Sequence, residues 1–194
     1  MEICDPREDT LGGQLVKDFG LVHYIVKVRL GGYSGVRLAF ADLPCGPPHK
    51  SSITDWKRWD SLPPWTVLRL CRAALIDPIE VLQIIERREI TKRAGDRAKD
   101  IAGTEFDWVP SKLTKLKQAG IYASLVPDVR GKQTDLHKQF EDVGLPYSAL
   151  SAWKRIDSIP LWALLRVCRW ARADPIEVLQ HYEDKEVESR TKQQ

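Results

Sequence analysis

The sequence predicts a mainly α-helical protein with two tandem helix-turn-helix-like units, each preceded by a short helix and an extended, possibly β, segment. Three observations predict it. Residues 53–83 and 150–180 align without a gap at an offset of 97, with 19 of 31 positions identical. Both copies carry the same helix punctuation: Asp60-Ser61 and Pro63 return as Asp157-Ser158 and Pro160, and the run from Asp77 to Gln83 returns unbroken as Asp174 to Gln180. Between these signals the apolar residues recur at helical spacing. An internal repeat implies that what one copy does, the other was built to do. Two copies are too few for a solenoid and suit a two-headed molecule.

The repeat spacing divides the 194 residues into a first unit, residues 1–100, with a degenerate helix-turn-helix, a hinge at 101–110, and a second unit, 111–194. Hydrophobic content of 43% and charged content of 29% are those of an ordinary globular protein. A net charge of +3 permits a nucleic-acid partner without demanding one. No apolar run approaches the roughly 20 residues that span a bilayer, so no membrane partner is expected. The acidic opening, Glu2, Asp5, Glu8 and Asp9, is the wrong charge for a secretory signal, and a cytoplasmic location is expected. The four cysteines lack metal-ligand spacing; Cys71 and Cys168 are repeat equivalents and read as small buried hydrophobes.

Copy two reads most cleanly. Ser111 is an N-cap for a short helix through Lys117, closed by Gly120. Ile121 to Val126 is an apolar run ended by Pro127, read as extended. Leu136 to Val143 reads as helix, with Leu136, Phe140 and Val143 on one face, and Gly144 breaks it. Pro146 or Ser148 starts the next helix, which carries Tyr147, Leu150 and Trp153. Helix, glycine turn, helix is the order of a helix-turn-helix. Asp157-Ser158 is read as the cap of a third helix with Pro160 in its first turn. Asp174-Pro175-Ile176-Glu177 opens a fourth, with Asp as cap, Pro at the first position and Glu177 reaching back. Copy one repeats the later part. Upstream, Leu21 to Leu30 alternates at Val22, Tyr24, Val26 and Val28 and reads as β-like, and the Pro44-Cys45-Gly46-Pro47-Pro48 stretch sits where the turn should be. Arg87 to Asp100 is highly charged and is expected to run on into solvent, with Ile101-Ala102-Gly103-Thr104 as the hinge.

Gly144-Leu145, Leu150, Trp153-Lys154-Arg155, Pro160, Leu164-Leu165 and Asp174-Pro175 occur in the order and spacing of the Cro/C1-type (lambda-repressor-like, XRE) helix-turn-helix family. The chain resembles that family over about 45 residues in copy two and about 30 in copy one. The resemblance implies a recognition helix whose base-facing positions are Pro146, Tyr147, Ser148, Ser151 and Ala152, with Lys154 and Arg155 near phosphates. In copy one they are His49, Lys50, Ser51, Thr54 and Asp55, with Lys57 and Arg58. It also implies that Trp56 and Trp153 are core. Where the family usually has Gly after the arginine, this chain has Trp59 and Ile156, so Asp60 and Asp157 are expected to take over the turn.

Val67, Leu70, Cys71 and Ala74 share one face of the following helix, matched by Leu164, Val167, Cys168 and Ala171, and read as core. The opposite face carries Trp65, Arg69 and Arg72, matched by Trp162, Arg166 and Arg169. An exposed tryptophan beside two arginines suits phosphate neutralisation and base stacking; a tryptophan packed against the strand-like segment, beside arginines that are solvated or paired with acids, accounts equally for the pattern. No glycine-rich phosphate loop, metal-spaced histidines or nucleophile partner stands out, so no enzyme, cofactor, metal or small-molecule substrate is expected. Three functions remain: a DNA-binding transcriptional regulator spanning two half-sites, an RNA- or ribosome-associated factor touching rRNA through the Trp/Arg faces, and a protein-interaction adaptor.

Overall fold

A computed structural model describes residues 20–95, 120–126 and 131–193. These form ten α-helices with no β-strand among them. In order they are α1 (Leu21–His23), which runs on as a π-helical stretch (Tyr24–Arg29), α2 (Tyr33–Ala39), α3 (Lys50–Trp59), α4 (Pro64–Ala74), α5 (Pro78–Ala94), α6 (Ile121–Leu125), α7 (Lys132–Lys138), α8 (Tyr147–Ile156), α9 (Leu161–Ala171) and α10 (Pro175–Thr191). A 3₁₀ turn (Glu141–Val143) follows α7. The expected helix at Ser111–Lys117 and the hinge at 101–110 lie outside the described residues.

Two segments read as extended are helical. In copy one Leu21, Val22, Ile25 and Val26 are buried. In copy two Ile121, Tyr122, Leu125 and Val126 are buried. Both sets have the i, i+1, i+4, i+5 spacing of a helix face; the alternation read at Val22, Tyr24, Val26 and Val28 fails at Val28, which is exposed. What decides for helix is a cap from far along the chain. Asp60 sits just past α3 in the left-handed conformation (φ 44°, ψ 43°). Its carboxylate accepts from the backbone N–H of Leu21 (3.1 Å) and Val22 (2.7 Å). Asp157 does the same after α8 (φ 49°), accepting from Ile121 (3.1 Å) and Tyr122 (2.8 Å). The expectation that these aspartates take over the glycine turn is met, and the helices they cap are α1 and α6. The third helix of each copy starts instead from a proline: Pro63 precedes α4 and Pro160 precedes α9.

Gly20 and Gly120 face these carboxylates. A Cβ on Gly20 would lie 2.8 Å from Asp60 Oδ1, and one on Gly120 would lie 2.6 Å from Asp157 Oδ2. Both glycines also have positive φ, 87° and 78°, so both space and backbone demand glycine.

Upstream of the turn the copies match at an offset of 100, not 97: Gly20 with Gly120, Val36 with Leu136, Phe40 with Phe140, Leu43 with Val143. The first helix of the motif is intact in copy one, with α2 and α7 each seven residues long. The proline-rich stretch is a loop, residues 44–49, where copy two has only 144–146. The difference is a three-residue insertion, which proline and glycine accommodate as they could not within a helix.

Aromatic rings fill the centre of each unit. Trp65 meets Phe40 and Trp56 edge-on at 5.4 and 6.4 Å, and Trp162 meets Phe140 and Trp153 at 5.7 and 6.0 Å. Trp56 and Trp153 are core residues, as the resemblance implies. So are Val67, Leu70, Cys71 and Ala74, and Leu164, Val167 and Cys168, while Ala171 is half-buried. Burial pushes the Cys71 thiol up to about 12 and raises Cys168 as well. Neither will be alkylated by iodoacetamide in the native protein, whereas both will be in denaturant; native labelling at either, read by mass spectrometry, would contradict this burial.

Two compact units result, and they do not follow the linear repeat. Among the described residues, unit 1 is 20–81 with 182–193, and unit 2 is 82–95, 120–126 and 131–181. From Leu82 onward α5, the last helix of copy one, belongs to unit 2; from Tyr182 onward α10, the last helix of copy two, belongs to unit 1. The charged stretch expected to run into solvent is therefore packed as far as Ala94: Glu86, Ile90 and Ala94 are buried at i, i+4, i+8.

Candidate nucleic-acid interface

Helices α3 and α8 present the residues that the sequence nominates. Each is ten residues long and anchors itself through two apolar side chains, Ile53 and Trp56 in α3, Leu150 and Trp153 in α8. At 100° per residue, Lys50, Ser51, Thr54, Lys57 and Arg58 fall within about 120° of the circumference, and Tyr147, Ser148, Ser151, Lys154 and Arg155 fall at the same angles. All are exposed except Lys57, which is half-buried. So each unit carries one polar stripe in the same register.

The stripes differ in charge and in freedom. In α3, His49 Nδ1 accepts from the Ser51 backbone N–H (3.4 Å) and lies 2.8 Å from Ser51 Oγ, and Thr54 Oγ1 donates to the Lys50 carbonyl (3.0 Å). Exposed Asp55 borders this stripe. In α8 the equivalent of Asp55 is half-buried Ala152, so the stripe holds Lys154 and Arg155 with no acid. Tyr147 stacks obliquely on His137 (5.4 Å) and donates to Gln133 Oε1 (3.2 Å), which holds its ring at the head of the helix. Hydroxyls and cations dominate both stripes. Such groups suit phosphate and sugar contacts, while the Arg, Gln and Asn pairings that read base edges are few.

The Trp-Arg-Arg faces are arranged differently from the open surface considered above. Trp65 is buried and Trp162 half-buried. In unit 1, Arg69 Nε and Nη2 donate to Glu183 Oε1 (2.8 and 2.7 Å), and Nη1 bonds Asp42 and the Ala39 carbonyl. Arg190 lies over the Trp65 ring at 4.3 Å. In unit 2, Arg166 Nη1 donates to Asp142 Oδ1 (2.6 Å) and the Gln139 carbonyl (2.8 Å), with Nε 3.6 Å from Glu86. Arg169 Nη2 reaches both oxygens of Glu86 (2.5 and 2.6 Å), and Arg93 lies over Trp162 at 4.6 Å. Only Arg72 of this set is exposed. These side chains are packed and paired with acids because the exchanged ends of α5 and α10 cover them. Burial raises the Glu86 carboxyl above its ordinary value, outweighing the opposing pull of Arg169 and Arg166.

Glu86, Glu183, Arg93 and Arg190 went unnoticed in the sequence, yet a signal was there. The offset of 97 continues past Gln83: Glu86 matches Glu183, Glu89 matches Glu186 and Arg93 matches Arg190. Their spacing of three and four places them on one helix face, and the i, i+4 pairs Glu89–Arg93 and Glu186–Arg190 both form at 2.7 Å.

Among the described residues no helix is long and apolar enough to cross a membrane, and no group of three or more His, Cys, Asp or Glu is placed to hold a metal ion. No protein-family model, no curated protein and no solved structure matches this chain.

Proposed function

We propose that the protein is a non-enzymatic, two-headed DNA-binding regulator of the helix-turn-helix type, with α3 and α8 as its recognition helices. The observation that supports this most is the pair of exposed cation- and hydroxyl-bearing stripes at identical register on α3 and α8. The helix order is that expected of the Cro/C1-type resemblance: α2 or α7, a turn, then α3 or α8. The chemistry of the stripes favours backbone positioning over strong base readout. The alternative of an rRNA contact through the Trp/Arg faces has less support, because Arg69, Arg166 and Arg169 are engaged by Glu86, Glu183, Asp42 and Asp142 and only Arg72 is exposed.

Fluorescence anisotropy with short duplexes across a salt series tests the reading. Replacing Lys154 and Arg155 together with alanine is expected to weaken duplex binding about tenfold and to lower the log–log salt slope by about 2. Binding to no nucleic acid at any salt would reject the proposal. A tighter grip on RNA than on every duplex tried would reject its DNA half.

A further inference from the structure

Unit 1 has a corner whose sequence unit 2 does not repeat. The π-helical stretch Tyr24–Arg29 is closed by the Leu30 N–H donating to the Ile25 carbonyl (3.1 Å) and the Gly32 N–H donating to the Val26 carbonyl (2.7 Å). It packs on α2 and on α4. Gly35 of α2 has no room for a Cβ against the Leu30 carbonyl, and copy two carries Asp135 at the matching position. π-Helical segments are rare and recur at functional sites. This one leaves Lys27, Val28 and Arg29 exposed in succession.

Arg29 ties the stretch to the end of α4. Its Nε and Nη2 donate to the Ala74 carbonyl (3.1 and 2.8 Å), and Nη2 lies 3.5 Å from the Leu75 carbonyl. Val28 and Leu75 are thereby brought to one corner, 52% and 86% exposed. Leu75 closes α4 in the left-handed conformation (φ 56°, ψ 48°), which is unfavourable for a bulky side chain. Arg172 makes the same turn after α9 (φ 55°). So unit 1 shows water a leucine where its twin shows a cation. The cations around it are uncompensated. Lys27 lies along Gly32, where an added Cβ would meet its Cδ at 4.0 Å, and the adjoining Tyr33 ring has Arg37 over it at 6.0 Å. Among the described residues, Lys27, Arg29 and Arg37 pair with no carboxylate. Asp77, two residues past Leu75, accepts from the Ile79 N–H (2.9 Å) as the cap of α5.

We propose that this corner is a docking surface for an acidic amphipathic helix of a partner protein. The apolar face of that helix covers Val28 and Leu75, and its flanking carboxylates meet Lys27, Arg29 and Arg37. Charge complementarity selects the class of partner, and exposed apolar side chains grouped with cations select an amphipathic one. A bilayer would call for a broader apolar face than these few side chains provide. Nucleic-acid phosphates would use the cations and leave Val28 and Leu75 without a partner. The inference goes beyond nucleic-acid binding by α3 and α8 and does not depend on it.

Fluorescence anisotropy of the full chain with a labelled synthetic peptide tests it. The probe is a helix of about 20 residues with leucines on one face and glutamates flanking them. One control peptide has lysine for each glutamate, the other serine for each leucine. The probe is expected to bind with a Kd of about 1–100 μM, and both controls at least about tenfold more weakly. Leu75→Arg gives unit 1 the residue that unit 2 already holds in this turn, so the thermal midpoint should not move. It should weaken probe binding about tenfold although it adds a positive charge. Lys27→Glu, at an exposed side chain, should weaken it about fivefold. Tighter binding by Leu75→Arg would reveal a general attraction for polyanions and overturn the docking surface. Unchanged binding in either variant, or no binding of the probe up to about 1 mM, would overturn it as well. So would capture of anionic vesicles or a DNA duplex, but not of the probe, in a manner that Lys27→Glu abolishes. Were Leu75→Arg not to fold, Lys27→Glu and the two control peptides would decide the matter.

Discussion

Replacing Asp157 with alanine will lower stability by about 3 kcal/mol, seen as a drop in thermal midpoint of roughly 6–12 °C. The carboxylate accepts two backbone N–H groups at the start of α6, from Ile121 and Tyr122. Both residues are buried, so the exposed donors would have little water to turn to. Alanine would also have to hold a left-handed backbone that aspartate tolerates better. Asp157→Asn, which keeps one acceptor oxygen and the same backbone tolerance, should lose less than half as much. Gly120→Ala should match the loss from Asp157→Ala, since its Cβ would be driven into the carboxylate. The decisive measurement is the double-mutant cycle. With Asp157 already removed, Gly120→Ala should cost only the backbone term of about 1 kcal/mol. Simple additivity would show that the close approach of Gly120 to Asp157 does not exist in solution.

The second large effect is expected from Arg166 and Glu86 in unit 2. Arg166→Ala should destabilise the protein by about 3–5 kcal/mol, because it removes one partner from a buried carboxylate. Arg166 and Glu86 side chains are 12% and 9% exposed. Arg166 also holds the Gln139 carbonyl and Asp142, so its loss unties the end of α7 as well. Glu86→Gln should cost distinctly less. Burial already disfavours the charge on Glu86 more than its two arginines favour it, and glutamine keeps the volume without that charge. Chemical denaturation of the two variants, followed by tryptophan fluorescence, gives the comparison. Equal losses would mean that the ion pair is not desolvated as the geometry indicates.

Much of the architecture was legible in the chain because it is encoded locally. Asp77-Pro78 and Asp174-Pro175 start helices wherever they occur; Asp77 and Asp174 accept from the N–H groups of Ile79 and Ile176 at 2.9 and 2.7 Å. The apolar faces of α4 and α9 follow from spacing alone. The polar stripes of α3 and α8 could be assigned for the same reason, since a ten-residue helix with two buried anchors leaves only one outward face.

The sequence by itself determined the helical class, the duplication, the core faces of α4 and α9 and the left-handed turns at Asp60 and Asp157. The helical class, the core faces and the turns are each set by a few neighbouring residues, and the duplication is read by laying two stretches of the chain side by side. Only the tertiary structure decided the conformation of residues 21–29 and 121–125, because their cap is supplied by an aspartate 35 to 39 positions away. The fate of the Trp-Arg-Arg faces also lay beyond the sequence reading. A tryptophan beside arginines has the same local pattern whether it meets a polyanion or a helix carrying glutamate, and the choice rests on segments 83 and 114 residues distant.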